Sequence, residues 1–381
     1  MTMMSDLSRD LVEEILSRVP ITSVPAVRST CKHWNSLFKD PSFTKKHCRK
    51  EAKEIQVIMV FDSWASLISI NLHGVHNQKD GLVEPPIKQI GKLNQPEISY
   101  VFHSNGLLLY VTENNNNRLV VCNPYTGQTR LIKPRNTIHR LERYGIGYDN
   151  NNNYKILIFP YHDYPIRQEI KYEIYDFNSD SLRAFSFSLD RPIWRPCEDL
   201  SLKGNIYFVA EEQMGKLEGD NILLCFDFTK ERFGPLLTLP FRSNGFDSVL
   251  LSAVREEQLA VLLKRWDAYE MKIWITTKIE PNAVSWINFL KFDMIQFSRR
   301  YHNLNGSFFV DEKKKVAVIC ERDILKETNY KAYIMGEDGY SREVNILGES
   351  ERSPRMCSYV PSSVKIQQSL NSSGKRKERD Y

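Results

Sequence analysis

Cysteine is sparse and unpaired in this chain. The seven cysteines, an odd number among 381 residues, include no C-x-x-C pair. That argues against a disulfide framework and for a reducing compartment. Long apolar runs are missing too. None approaches the roughly 18 residues that a membrane helix needs, and the opening MTMMSDLSRD lacks the apolar stretch of a signal peptide. A soluble protein of cytoplasm and/or nucleus, with no membrane partner, is the expectation. Charge of one sign is also lacking: 52 Lys and Arg face 47 Asp and Glu, for a net charge of +5. A balance this even gives no sign of a nucleic-acid binder.

Catalytic signatures are absent as well. There is no H-E-x-x-H, G-x-S-x-G, Walker loop or kinase set. Gly145-Ile146-Gly147 runs into Tyr148-Asp149 and a string of Asn, without the third glycine and helix that a dinucleotide site requires. Cys31-x-His33 and His47-Cys48 offer soft ligands, but their spacing fits no common zinc pattern. The other six histidines are expected on loops or in packed turns, and the Asn305 and Asn371 sequons at chance level. No catalytic residue, metal or cofactor is assigned.

What is present divides at about Ile55. Leu11, Val12, Ile15, Leu16 and Val19 recur at helical spacing. Ser8 is placed to cap, carboxylates sit early, and Pro20 ends the helix. A second helix is predicted from near Thr22 with Pro25 in its first turn, and a third from about Cys31 to Phe38, burying Trp34 and Leu37. After the break at Asp40-Pro41 a fourth follows from Phe43 to about Lys53. Helices this short are marginal alone, and domains near 40 residues usually need an outside aid such as a partner chain.

From residue 55 to 366 short β-rich runs alternate with Gly, Asn and Asp turns. One unit recurs: an apolar strand, a polar turn and a second strand, as in LVVCNPYTGQTRLI and LLCFDFTKERFGPL. Anchors at Asn71, Asn123, Asp176, Asp227, Thr276 and Met335 lie 52, 53, 51, 49 and 59 residues apart. A period of about fifty residues with roughly four strands is kelch-like spacing, and packing such units around an axis covers both faces of each. The expected fold is mainly β: a small α-helical module of three to four helices at residues 1–54, then a β-propeller of about six kelch-like blades at 55–366. A pair of two-sheet sandwiches is the alternative. Ser358–Ile366, SYVPSSVKI, is predicted to be a late strand that pairs with the first blade and closes the ring. Asn114–Asn117 and Asn150–Asn153 read as solvated turns, Lys313–Lys315 as a hairpin turn, and 367–381 as a flexible basic tail whose GKRKER could serve nuclear import.

Leu7, Asp10, Leu11, Glu14, Ile15, Leu16, Arg18, Pro20, Ser23, Arg28, Cys31, Lys32, Trp34, Leu37, Asp40, Pro41 and Phe43 stand at the spacings of the F-box. The head therefore resembles that motif, departing from it at Ser8, Val19, Val24-Pro25 and Thr30. SNGLLLY, RLVVCNPYTGQ, YGIGYDNNNNYKIL, LKGNIYF, LLCFDFTKERF and KIWITTKIE with SWINF make the body resemble the plant F-box-associated domain. The resemblance implies a non-catalytic substrate receptor of an SCF-type ubiquitin ligase. Its head would dock on a Skp-family adaptor and, through it, on cullin and RING subunits; its body would hold a target protein. Leu7, Leu11, Ile15, Leu16 and Pro20 are the expected adaptor surface, although the same residues could instead pack on the fourth helix or the body. Tyr161, Tyr164, Trp194, Trp266 and Tyr269 are the expected target-binding residues, because aromatic side chains dominate interface hot spots. A β-propeller scaffold or decoy with a degenerate head is the alternative, resting on Ser8 and Pro25.

Overall fold

The computed structural model describes residues 7–40, 42–44, 46–47, 54–61, 64–72, 87–93, 98–112, 118–133, 142–160, 169–188, 193, 198–214, 217–243, 246–293, 304, 306–322, 329–349 and 355–367. The head contains α1 (Arg9–Leu16), a 3-10 turn (Ile21–Ser23), α2 (Val24–Thr30) and α3 (Lys32–Leu37). Ser8 caps α1, its hydroxyl accepting from the Leu11 N–H at 3.4 Å. The second helix starts later than Thr22 because the 3-10 turn comes first; Pro25 then sits in the first turn of α2, where its missing N–H costs nothing. The Cys31 thiol caps α3 by accepting from the Trp34 N–H at 3.5 Å. Asp40 accepts from the Ser42 hydroxyl and from the N–H groups of Phe43 and Ser42, and these bonds hold its carboxyl below the ordinary value. Residues 42–44 and 46–47 are helical, while 48–53 of the expected fourth helix lie outside the described residues.

The body is a ring of six antiparallel sheets. The blades span 98–132, 142–188, 198–238, 248–293 and 306–349, and the first combines 55–93 with Arg355–Ser358. The innermost strands touch in the order Arg355–Ser358, Ile98–Ser104, Glu142–Tyr148, Glu198–Leu202, Ser248–Val254, Gly306–Asp311 and back to the first. Six buried apolar clusters fill the six clefts between neighbouring blades. One of them, between blades one and two, continues into the head through Val12, Leu16, Ile21, Val24 and Phe38.

The fifty-residue period has a local cause in the middle of the ring. Asn123, Asp176 and Asp227 each end the third strand of a blade and cap the corner into the fourth. Their side-chain oxygens accept from Tyr125 and Thr126, from Asn178 and Ser179, and from Thr229 and Lys230. Thr276 does not mark such a corner. The third strand of blade five runs on to Glu280, and the buried Thr276 hydroxyl accepts instead from the Leu259 N–H.

The ring closes earlier than SYVPSSVKI predicts. Arg355–Ser358 pairs antiparallel with Ile55–Val60, and 359–367 leaves the sheet as an irregular strap. Pro361 has no N–H to give a ladder. Gly145 and Gly147 lie inside the innermost strand of blade three rather than in a phosphate loop. A Cβ on Gly147 would stand 2.3 Å from the Gly204 carbonyl oxygen and from the Phe228 ring. Gly147→Ala is expected to lower stability by about 1–3 kcal/mol through overpacking, measured as a fall in urea midpoint with unchanged m-value.

Candidate functional site

The two long surfaces of the ring differ. Corners joining the first to second and third to fourth strands open on one face, and the remaining connections open on the other. The head sits on the first of these, the near face. Pro25 lies against Gly127 and the Arg28 guanidinium donates to the Thr126 carbonyl at 2.7 Å. Phe38 meets Tyr125 edge-on and His47 meets it at a tilt, at 6.4 and 5.5 Å between ring centroids.

On α1 two apolar pairs point opposite ways. Val12 and Leu16 are 3% and 2% exposed and pack inside the head. Leu11 and Ile15, one turn apart, are 53% and 40% exposed. Arg9–Glu13 and Arg18–Glu14 ion pairs flank them along the helix. Pro20 is exposed as well. Leu7 is half-buried and packs against the head core. Of the five residues expected on the adaptor surface, Leu11, Ile15 and Pro20 therefore face solvent. Leu16 faces inward, buried in the cluster it shares with Ile21, Val24, Leu37 and Phe38. Trp34 is half-buried against the same core.

Cys31 and His33 are exposed, whereas His47 is fully buried with Nε2 2.8 Å from the Val19 carbonyl. Cys31 thus serves as a helix cap. Among the described residues no group of three or more His, Cys, Asp or Glu side chains could hold a metal ion, and no helix is long and apolar enough to cross a membrane.

The far face carries Trp266 and Tyr269 between the second and third strands of blade five, both exposed. Phe246, which precedes that blade, is exposed too, and its ring centroid lies 5.8 Å from that of Trp266. The Trp266 N–H donates to Asp247 Oδ1 at 3.1 Å, fixing the loop that holds the indole. Phe246 was not singled out from sequence: SNGFDS looks like a turn, and only the fold sets it beside Trp266. On blade one Phe61 and Trp64 stack at 4.0 Å, with the Lys92 ammonium 4.6 Å from the indole. Tyr161, Tyr164 and Trp194 lie outside the described residues, as do residues 368–381 of the expected tail, Asn305, Asn371 and Asn114–Asn117, while Gln367, expected in that tail, is described and bonded to blade three.

Comparison with known proteins gives the family. Residues 4–46 match the F-box domain and 56–366 the F-box associated beta propeller domain. The Arabidopsis thaliana F-box protein At3g19560 is 55% identical over 370 residues, covering 96% of this chain and 99% of that one. The F-box/kelch-repeat protein At3g16740 of the same plant is 47% identical over 403 residues, covering 96% and 100%. With its helical head, its six-bladed ring and relatives that match end to end, the chain belongs to the F-box proteins that carry an F-box-associated β-propeller domain.

Proposed function

We propose that this protein is the substrate receptor of an SCF-type cullin–RING ubiquitin ligase, with the head on a Skp-family adaptor and a target protein on the propeller. The observation that carries the reading is the division of labour on α1. Val12 and Leu16 are used up in the head core, while Leu11 and Ile15 remain exposed on a helix held by a cap and ion pairs. Burying each on a partner contributes roughly 1.5–3 kcal/mol. Ser8 and Pro25, the two departures that favoured a decoy, are both accommodated: one caps α1 and the other fits the first turn of α2.

The aromatic group Phe246, Trp266 and Tyr269 is the target-facing surface in this reading. It lies across the ring from the head, so adaptor and target do not compete for space. The receptor supplies proximity alone, raising the local concentration of target beside the conjugating enzyme. The test is co-expression of the full chain with a Skp-family adaptor, followed by size-exclusion chromatography. Co-elution as one complex is expected; separate elution of two folded proteins overturns the reading. Trp266→Ala is expected to leave that complex intact while removing proteins that accumulate on the wild type under proteasome inhibition, read by quantitative proximity labelling.

A further inference from the structure

The NPYTG corner of blade two, residues 123–127, is gripped from both sides. The buried Asn123 uses its whole amide. Its Oδ1 accepts from Tyr125 and Thr126 within the corner, and its Nδ2 donates to the Ser362 and Val364 carbonyls of the strap at 2.9 and 2.7 Å. The rest of the strap is held alongside. Gln128 Oε1 accepts from the Ile366 N–H, and the Gln367 side chain binds the backbone of Asn152 and Tyr154. Ser362 lies so close over Gly106 that a Cβ there would stand 2.3 Å from the serine Cβ. The same corner is the seat of the head, through Arg28 on Thr126, Pro25 on Gly127, and Phe38 and His47 on Tyr125.

We propose that the Asn123–Gly127 corner couples closure of the ring to seating of the head, which makes the C-terminal strap a positioning element for the head. A corner of five residues cannot rearrange on one side alone. Loss of the strap frees the Asn123 amide, and Thr126 and Tyr125 then lose the conformation that receives Arg28 and Phe38. Coupling of this kind is reciprocal, so loosening the head must loosen the strap. The consequence for target presentation rests on the receptor reading above; the coupling itself does not.

Hydrogen exchange on the full chain, followed by mass spectrometry, tests this. Asn123→Ala is expected to raise exchange not only in 359–367 but also in head residues 24–37, and Arg28→Ala in 24–37 and in 359–367, each within the roughly 5–150-fold range of such couplings. Arg28→Lys keeps one donor for the Thr126 carbonyl and is expected to restore much of the strap's protection, which a loss of packing alone would not explain. Increases confined to the mutated side in both variants overturn the proposal. Should Asn123→Ala fail to fold, the strap signal in Arg28→Ala decides alone. Adaptor capture is scored in parallel: if the wild-type chain captures no adaptor while the variants show reciprocal exchange, the receptor reading fails and the coupling stands.

Discussion

Replacing Leu11 and Ile15 together by aspartate is expected to abolish capture of a Skp-family adaptor without unfolding the head. Both side chains are exposed in the free protein, so surface substitutions there cost little stability, within about 0.5 kcal/mol each. On the partner the balance reverses. Two apolar side chains worth roughly 1.5–3 kcal/mol each are lost, and two carboxylates would have to be buried without partners, which adds further cost. A total near 5 kcal/mol or more weakens binding by about four orders of magnitude, enough to erase a pull-down. Leu16→Ala supplies the contrast. At 2% exposure it should cost about 2–5 kcal/mol of stability and lose adaptor binding only as the helical signal of the head is lost. The measurements are adaptor capture and thermal melting on the same preparations. Retained capture by the folded double variant would sink the docking reading.

That contrast also shows where sequence reasoning stops. Leu11, Val12, Ile15 and Leu16 are equally apolar and share the same spacing, so the pattern marks a helix but not which pair turns inward. The choice is made by tertiary packing: Val12 and Leu16 join the buried cluster that runs from the head into blades one and two, and Leu11 and Ile15 do not. The corner residues Asn123, Asp176 and Asp227 were legible because their role is local: a short polar side chain at the end of a strand caps the next turn within three residues. Thr276 misled because the third strand of blade five ends four residues later, at Glu280, where no Asn or Asp closes the strand to mark the corner. SYVPSSVKI reads as a strand in sequence, yet 359–367 leaves the sheet as the strap. Its backbone groups go instead to side chains some 240 positions away in sequence, such as Asn123 and Gln128, and no local signal reports those.

The pairing of His103 and Glu256 was equally invisible in sequence, and it predicts opposite pH responses for two single variants. His103 is the last residue but one of the innermost strand of blade two; Glu256 sits in a corner of blade five, half-way round the ring. Arg255 and Glu256 both hold left-handed backbone, φ 52° and 58°, a strained corner that brings the carboxylate to 3.2 Å from His103 Nδ1. The Gly106 N–H donates to Nε2, so the proton lies on Nδ1 and is directed at the carboxylate. Burial pushes the imidazole down to about 4, against a pull upward from the Val360 backbone. Burial pushes the carboxyl up to about 7, and the Asn105 N–H opposes this without cancelling it. Tyr148 and Tyr154, the other titratable groups beside Glu256, are raised by burial and stay protonated.

Between about pH 4.5 and 6.5 the unfolded chain carries its proton on the histidine and the folded chain on the glutamate. The proton counts are equal, so the pair adds no slope to stability across that window. Glu256→Gln leaves His103 alone. Its stability relative to wild type should fall as pH drops from 6.5 towards 4, because the unfolded histidine then takes up a proton that the folded one refuses. His103→Asn keeps a donor for the carboxylate and leaves Glu256 alone, and its relative stability should fall as pH rises from 4.5 towards 7. Each slope accumulates to on the order of 3 kcal/mol over its window. Urea unfolding of the three proteins at half-unit pH steps reads both. Parallel curves would show that burial shifts neither group; curves that diverge in opposite directions show that the two shifts oppose each other and cancel in the wild-type chain.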